Sequence, residues 1–414
     1  MARYFYATIL RWIMFLCILD GGVMRLLMVL VVAVLCAFPA YAQLPTSEGW
    51  SVLPNTQLSL ACPDIDSIHG TTGCQAVTEA WNGGAFDTKR NRLIIWGGGH
   101  RDYYGNELYA LELNGTPFVH RISEPGLPPA PYQCTLSVDG PDCIGWGCMQ
   151  SIVNGTQPNS RHTYDGIAYM ANVDKLFVFG GSLACGNGDF GTDTWTFSFT
   201  TNQWERQQPS EPAPQAGPGA VAVYDPNTGK VFLHDRIHLY AYDPLTNTYQ
   251  QFSESYTYGV GYHLAGVIDP VRRKMVMIGN EQAWIIDISD GSSYHTIPLP
   301  TTGGEAIIKS AYPGLAYDPV NDQIVAWNGG DAVYTLNLDT SSWTQLSYSG
   351  GPRAMVAGTY KRFSYVPAAQ GFISLNSIYV DASFLKLGNS TGGGGKGGGK
   401  GGGGKGGGKG GGKP

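Results

Sequence analysis

Charge and helical periodicity are both scarce in this chain. Only 14% of its 414 residues are charged, and beyond the N-terminus no window of ordinary length carries the 3.6-residue period of an amphipathic helix, which argues against a helical architecture. Acidic residues outnumber basic ones, 32 to 26, for a net charge of -6; this excludes an overall basic nucleic-acid binder. No CxxC pair and no His-Cys spacing occurs, so structural zinc is disfavoured. The one strongly apolar run, near the N-terminus, is too short and wrongly flanked for a stable membrane span. What is abundant is glycine, 58 residues, and aromatics, 12%. That composition suits many short strands joined by turns, in one large all-β domain or two average ones.

The apolar run reads as an export signal. "MRLLMVLVVAVLCAFPAYA", residues 24–42, supplies a basic residue, an apolar centre and an A-x-A-like cleavage site ahead of Gln43. Leu35 before Cys36 does not suit lipoprotein processing. Met24 is read as the true start, and the expected location is secreted or periplasmic. Residues 1–42 carry Arg3, Arg11, Arg25 and Asp20, a net +2, so their removal takes the charge from -6 to -8. Six cysteines remain, Cys62, Cys74, Cys134, Cys143, Cys148 and Cys185. In an oxidising compartment they predict three disulfides, with fifteen pairings open.

A repeat lies in the spacing. "FDTKRNRL" (86–93), "YMANVDKL" (169–176), "YDPNTGKV" (224–231), "IDPVRRKM" (268–275), "YDPVNDQI" (317–324) and "YVPAAQGF" (365–372) share one frame: a large apolar residue, a polar turn, and an apolar residue seven positions on. That is strand, hairpin, strand. Each copy runs on into a short apolar stretch ("LIIW", "LFVF", "VFLH", "MVMI", "IVAW", "FISL"), which must be covered on both faces. A third strand follows in each, and a fourth with Trp or Tyr in "NQWERQ", "NTYQQF" and "SSWTQL". Four antiparallel strands per unit, six times, predict a six-bladed β-propeller over residues 43–387. The last unit lacks a fourth strand, and "GWSVLPNTQL" (49–58) is a fourth strand without a unit. The expectation is that it closes the ring, burying Trp50 and leaving no open edge.

These features resemble the kelch-type propellers of the galactose-oxidase-like superfamily. The resemblance covers about residues 49–387 and rests on the paired glycines after strand two (Gly97-Gly98, Gly180-Gly181, Gly329-Gly330) and the aromatics of strand three (Tyr109, Trp195, Trp284, Tyr334). It implies a scaffold more than an activity. Copper-radical oxidases of that superfamily place a tyrosine and a Tyr-His pair ahead of two first strands, where Tyr164 and Tyr262-His263 stand here. Their cross-linked cysteine would fall near "EAW" (79–81), which has none, and the histidine their C-terminal domain supplies has no counterpart. The chain is also similar to propeller-type polysaccharide lyases, in which Arg neutralises a uronate carboxylate while His and Tyr serve as base and acid.

In such blades the loop from strand two to strand three and the segment leading into strand one share a face. That face carries Gly97–Asn106, the insertion at 124–160 and "SLACGNGDFG", whereas the opposite face has only short turns. The candidates on it are His100, Arg161 and Tyr164 for catalysis, and Arg101, Tyr103, Tyr104, His162, Arg236, Tyr262, His263, Glu281, Lys309 and Arg353 for ligand binding. Arg161 and His162 also suit a structural role, tying down neighbouring loop carbonyls. The expected function is recognition of an extracellular ligand, foremost a carbohydrate. A His/Tyr/Arg lyase, ranked ahead of a copper-radical oxidase, and a purely structural envelope or matrix protein are the alternatives. No cofactor is expected, and a bound metal ion is left open. From residue 388 onward, and above all over 392–414, the chain is glycine with five spaced lysines. It has nothing apolar to bury. As a flexible coil it reaches about 25 Å, and would attract an anionic glycan, lipopolysaccharide or DNA weakly and in a salt-dependent way.

Overall fold

The computed structural model describes residues 44–126, 150–184 and 190–388, apart from 211, 253–255, 258 and 292–293. Six four-stranded antiparallel sheets form a propeller. Blade 1 comprises Gly84–Asp87, Arg92–Ile95, Tyr109–Glu112 and Phe118–Arg121; blade 2 Ile167–Met170, Lys175–Phe179, Thr194–Ser198 and Gln203–Gln207; blade 3 Val221–Asp225, Lys230–His234, Leu239–Asp243 and Thr248–Phe252. Blade 4 comprises Ala265–Asp269, Lys274–Gly279, Gln282–Asp287 and Thr296–Pro298; blade 5 Gly314–Asp318, Gln323–Trp327, Ala332–Asn337 and Ser342–Ser347; blade 6 Phe363–Val366, Gly371–Ser374, Ser383–Lys386 and, from the N-terminal end, Gly49–Val52. The first strand of every blade lies innermost and touches the first strand of the next, all the way round.

Local chemistry explains the hairpins. In four blades the first strand ends on a buried aspartate, Asp87, Asp225, Asp269 or Asp318, whose carboxylate accepts turn N–H groups: Lys89 and Arg90, Asn227, Val271 and Arg272, Val320 and Asn321 respectively. Such an aspartate folds its own turn. In all six blades the residue just before the second strand is left-handed, with φ between 50° and 71°: Asn91, Asp174, Gly229, Arg273, Asp322 and Gln370. Bidentate arginines then clamp neighbouring turns on this face, Arg90 to Asp174, Arg272 to Asp322 and Arg273 to Asp225.

The apolar second strands are covered on both faces because each face meets a different neighbour. The buried residues divide into six clusters, one at each junction between blades. Where the six innermost strands converge, bulk is excluded. Ala85, Ala168, Val223, Val267, Ala316 and Ser364 occupy one register position and line an axial cavity of about 310 Å³. Lys361 also lines it, at a salt bridge that crosses the axis: the Lys361 ammonium lies 2.8 Å from Asp165 Oδ2 and donates to the carbonyls of Asp165 and Ala222. The same carboxylate accepts from the Gly266 amide, so blades 2, 3, 4 and 6 meet there. Burial pushes the Asp165 carboxyl up to about 6, with Lys361 opposing it, and pushes the Lys361 ammonium down.

The expected ring closure is present: Gly49–Val52 pairs antiparallel with Ser383–Lys386, Trp50 opposite Leu385. Trp50 packs 5.0 Å from Trp327, at the same 51° tilt as Trp204 to Trp96 in blades 2 and 1. The N-terminal strand thus stands where fourth strands stand elsewhere. Its ring is half-buried rather than sealed, whereas Trp204, Tyr249 and Trp343 on other fourth strands are buried. One disulfide, Cys62–Cys74, is seen. The N-terminal segment expected to direct export, Cys134, Cys143, Cys148, Cys185 and the glycine-lysine tail lie outside the described residues. Among those described, no helix is long and apolar enough to cross a membrane.

Trp50→Ala should lower unfolding free energy by about 2–3 kcal/mol, below the cost of a sealed tryptophan, read as a shift in the denaturant midpoint. Asp165→Asn should cost about 3–5 kcal/mol by stranding Lys361, whereas Asp165→Asn with Lys361→Met should recover most of it in a double-mutant cycle.

Candidate functional site

The loop-rich face is organised by one register position. Six residues before the end of each innermost strand stand Trp81, Tyr164, Gly219, His263, Tyr312 and Tyr360. Five of these six are aromatic. Trp81, Tyr164, Tyr312 and Tyr360 have φ of 45°, 48°, 56° and 50°, an unusual conformation for bulky side chains that costs of order 1 kcal/mol or more each. Backbone bonds between neighbouring members hold it: the Tyr164 amide donates to the Trp81 carbonyl at 2.8 Å, Tyr312 to His263 at 3.0 Å, and Tyr360 to Tyr312 at 3.3 Å. Blade 3 has glycine, with φ 79°, because a Cβ there would lie 2.4 Å from the Tyr262 backbone.

The side chains form a continuous arc. His100 lies 5.7 Å from His162, which lies 5.3 Å from Trp81 and meets Tyr164 edge-on at 6.2 Å. The Tyr164 hydroxyl is 3.0 Å from Ser182 Oγ. Beyond it Tyr312 packs on Tyr360 and stacks on His263 at 4.3 Å; His263 touches Tyr262, and Arg236 sits 5.6 Å over the Tyr262 ring. The residues come from the first, second, third, fourth, fifth and sixth blades. The arc is therefore a property of the closed ring, not of any segment.

Its titratable centre is His162, buried to 2% exposure, with Nε2 2.9 Å from Asp102 Oδ2. Burial lowers its pKa, and Asp102 only partly opposes that. The ring is thus neutral at neutral pH; donating from Nε2 to Asp102, it keeps Nδ1 as a base. Burial raises the Tyr164 phenol. At the far end burial lowers His263, with Arg236 adding to the effect. This combination sets a base and hydroxyl groups among packed rings: His162, Tyr164, Tyr312 and Tyr360 are buried, and the arc opens to solvent at His100 and Arg101 and at Tyr262.

The structure brings His100, Arg101, His162, Tyr164, Arg236, Tyr262 and His263 to the arc or its margins, with His100 and Arg101 exposed on left-handed backbone. Arg161 is fully buried, paired to Asp193 at 2.9 Å and donating to the carbonyls of Asn159, Gly180 and Gln150. It fastens loops, as one of its two sequence-based readings holds. Tyr103 and Tyr104 turn inward, each 2% exposed, with the Tyr103 hydroxyl on Glu107 Oε1 at 2.5 Å. Glu281 and Lys309 form an exposed pair at 3.7 Å on the rim, and Arg353 is exposed between blades 5 and 6. Trp81, Asp102, Ser182, Tyr312 and Tyr360 belong to the site and escaped the sequence reading. Superposing the six lead-ins on their strand ends would have found three of them. Among the described residues no group of three or more His, Cys, Asp and Glu side chains is placed to hold a metal ion.

No protein-family description matches the sequence, and no curated protein is similar to it. Among solved structures, that of YjhT is similar, with a TM-score of 0.47 and 13% identity, covering 80% of this chain and 95% of its own. At that level the likeness says nothing of the site; the propeller rests on the strand pairing itself.

Proposed function

We propose that the protein is an exported kelch-like propeller that binds a carbohydrate on its loop-rich face. The observation that supports this reading is the continuous arc from His100 to Arg236. Sugars present apolar C–H faces and hydroxyl edges, and the open ends of the arc offer the Tyr262 ring beside Arg236 and the His100 imidazole beside Arg101, backed by the buried rings between them. In a secreted or periplasmic setting the glycine-lysine tail would add weak attraction to an anionic glycan, lipopolysaccharide or DNA. Tyr262, 44% exposed, and His100 lie at opposite ends of the arc and outside the core. For a glycan identified on an array, Tyr262→Ala and His100→Ala should each weaken binding about tenfold, roughly 1.4 kcal/mol, with unchanged thermal stability. Absence of saturable binding across the array overturns the reading.

A second reading draws on the His162–Asp102 pair beside Tyr164: a polysaccharide lyase. A base removes the proton at C5 of a uronate, the electron pair forms the C4–C5 double bond, the glycosidic bond at C4 breaks, and the departing oxygen takes a proton from the acid. His162 and Tyr164 fit base and acid. With Arg161 committed to Asp193, the carboxylate would fall to Arg101 or Arg236. This reading predicts an unsaturated product absorbing in the ultraviolet, lost with His162→Ala or Tyr164→Phe. A wild-type protein that releases none from any uronate polymer dismisses it.

A further inference from the structure

Asp102 is held from both sides, and only one side is His162. Its other oxygen, Oδ1, accepts from Thr72 Oγ1 at 3.2 Å. Its backbone carbonyl accepts the amides of Thr72 and Gly73, both at 3.0 Å, while the Thr71 amide and hydroxyl bond the Arg101 carbonyl at 2.8 and 3.2 Å. Residues 70–73 thus lie flat along the turn bearing His100, Arg101 and Asp102. Gly70 comes so near that a Cβ on it would stand 2.4 Å from the Asp102 carbonyl oxygen. The segment ends at Cys74, whose disulfide to Cys62, twelve positions earlier, closes a short loop, and Cys74 Sγ lies 3.3 Å from the Tyr109 hydroxyl inside blade 1.

The geometry points to Thr72 as the positioning residue of this site: the disulfide-closed loop 62–74 clamps Asp102 through Thr72, and so sets the proton affinity of His162. Asp102 needs such a clamp. Its side chain is 24% exposed, and a carboxylate at a water-facing turn with a single partner rotates freely between solvent and that partner. With both oxygens engaged, its charge stays on the imidazole. The other groups facing His162 are His100, whose charge opposes protonation, and the Tyr164 ring with Trp81; none of these supplies negative charge at neutral pH. Whatever keeps Asp102 in place therefore decides how readily His162 takes a proton. The Cys62–Cys74 bond would make this setting dependent on the oxidising compartment that the export signal predicts. The inference rests on the histidine-carboxylate geometry and not on the identity of the ligand.

The test follows the His162 ring resonance by NMR as the protein is titrated, assigned with His162→Gln. Asp102→Asn should lower the midpoint. Thr72→Val should lower it in the same direction, Thr72→Ser should restore it, and Cys62→Ala with Cys74→Ala, or reduction of the wild type, should lower it as Thr72→Val does. Loss of the Thr72 hydrogen bond without loss of position would leave a more basic carboxylate and raise the midpoint. A rise or no change in Thr72→Val therefore overturns the clamp, even should the cysteine variant fail to fold. An unmoved midpoint in Asp102→Asn overturns the histidine-carboxylate coupling itself. Neither result bears on glycan binding, which the array reads separately.

Discussion

The constraint on which the rest of this structure depends is that every second strand is apolar on both faces. A sheet of this kind cannot stop: each blade needs a neighbour on either side, and the last must find the first. Six clusters at six junctions satisfy that demand, and the buried apolar residues among those described are divided between them rather than gathered in one central core. The converging innermost strands must then be lined with small residues, and the Asp165–Lys361 pair crosses the axis between them. Such a buried pair adds little net stability. It holds blades 2, 3, 4 and 6 in one relative setting, directly beneath the arc.

The two faces of the disc follow from different physics. On the short-turn face, aspartates fold their own hairpins and arginines join adjacent turns. Charge is thereby consumed internally, and these ion pairs lie in parts of the chain that repeat. On the other face the lead-in segments place large aromatic side chains on left-handed backbone, a conformation that persists because neighbouring lead-ins hydrogen-bond one another. Strain of this kind gathers where rings must be presented at fixed angles. The aromatic arc is thus fixed through its backbone, an arrangement that would reduce the ordering cost of the proposed binding.

The fold was legible because its signals are local. A polar turn between apolar positions seven residues apart, followed by a run covered on both faces, is complete within twelve residues; the unpaired "GWSV" segment then had one place to go. The site was legible only as a face. His100, His162, Tyr164, Tyr262 and His263 were singled out and meet on the arc, but Tyr103 and Tyr104 sit beside three glycines in a polar-looking stretch and are nonetheless internal. The reason is the loop 62–74, which covers them and belongs to no repeat. Arg161 likewise reads as a loop cation until Asp193, 32 positions on, is placed against it. Asp102 was invisible for the converse reason: a lone aspartate in a turn carries no spacing signal, and its meaning comes from a histidine sixty residues away.

Pairing Gly49–Val52 with Ser383–Lys386 has a kinetic consequence. The strand Gly49–Val52 finds its partner only after more than three hundred further residues have been synthesised, so it stays unpaired during chain growth, and the terminal blade is a three-stranded sheet with an open side from the time its own strands are made until the early strand docks. Loop-closure entropy makes that final zipping a late event. Until it occurs, the nascent molecule presents a bare ladder of amides and carbonyls to its surroundings, and the period between the first strand's emergence and the last strand's arrival is when it is most vulnerable to joining another copy of itself.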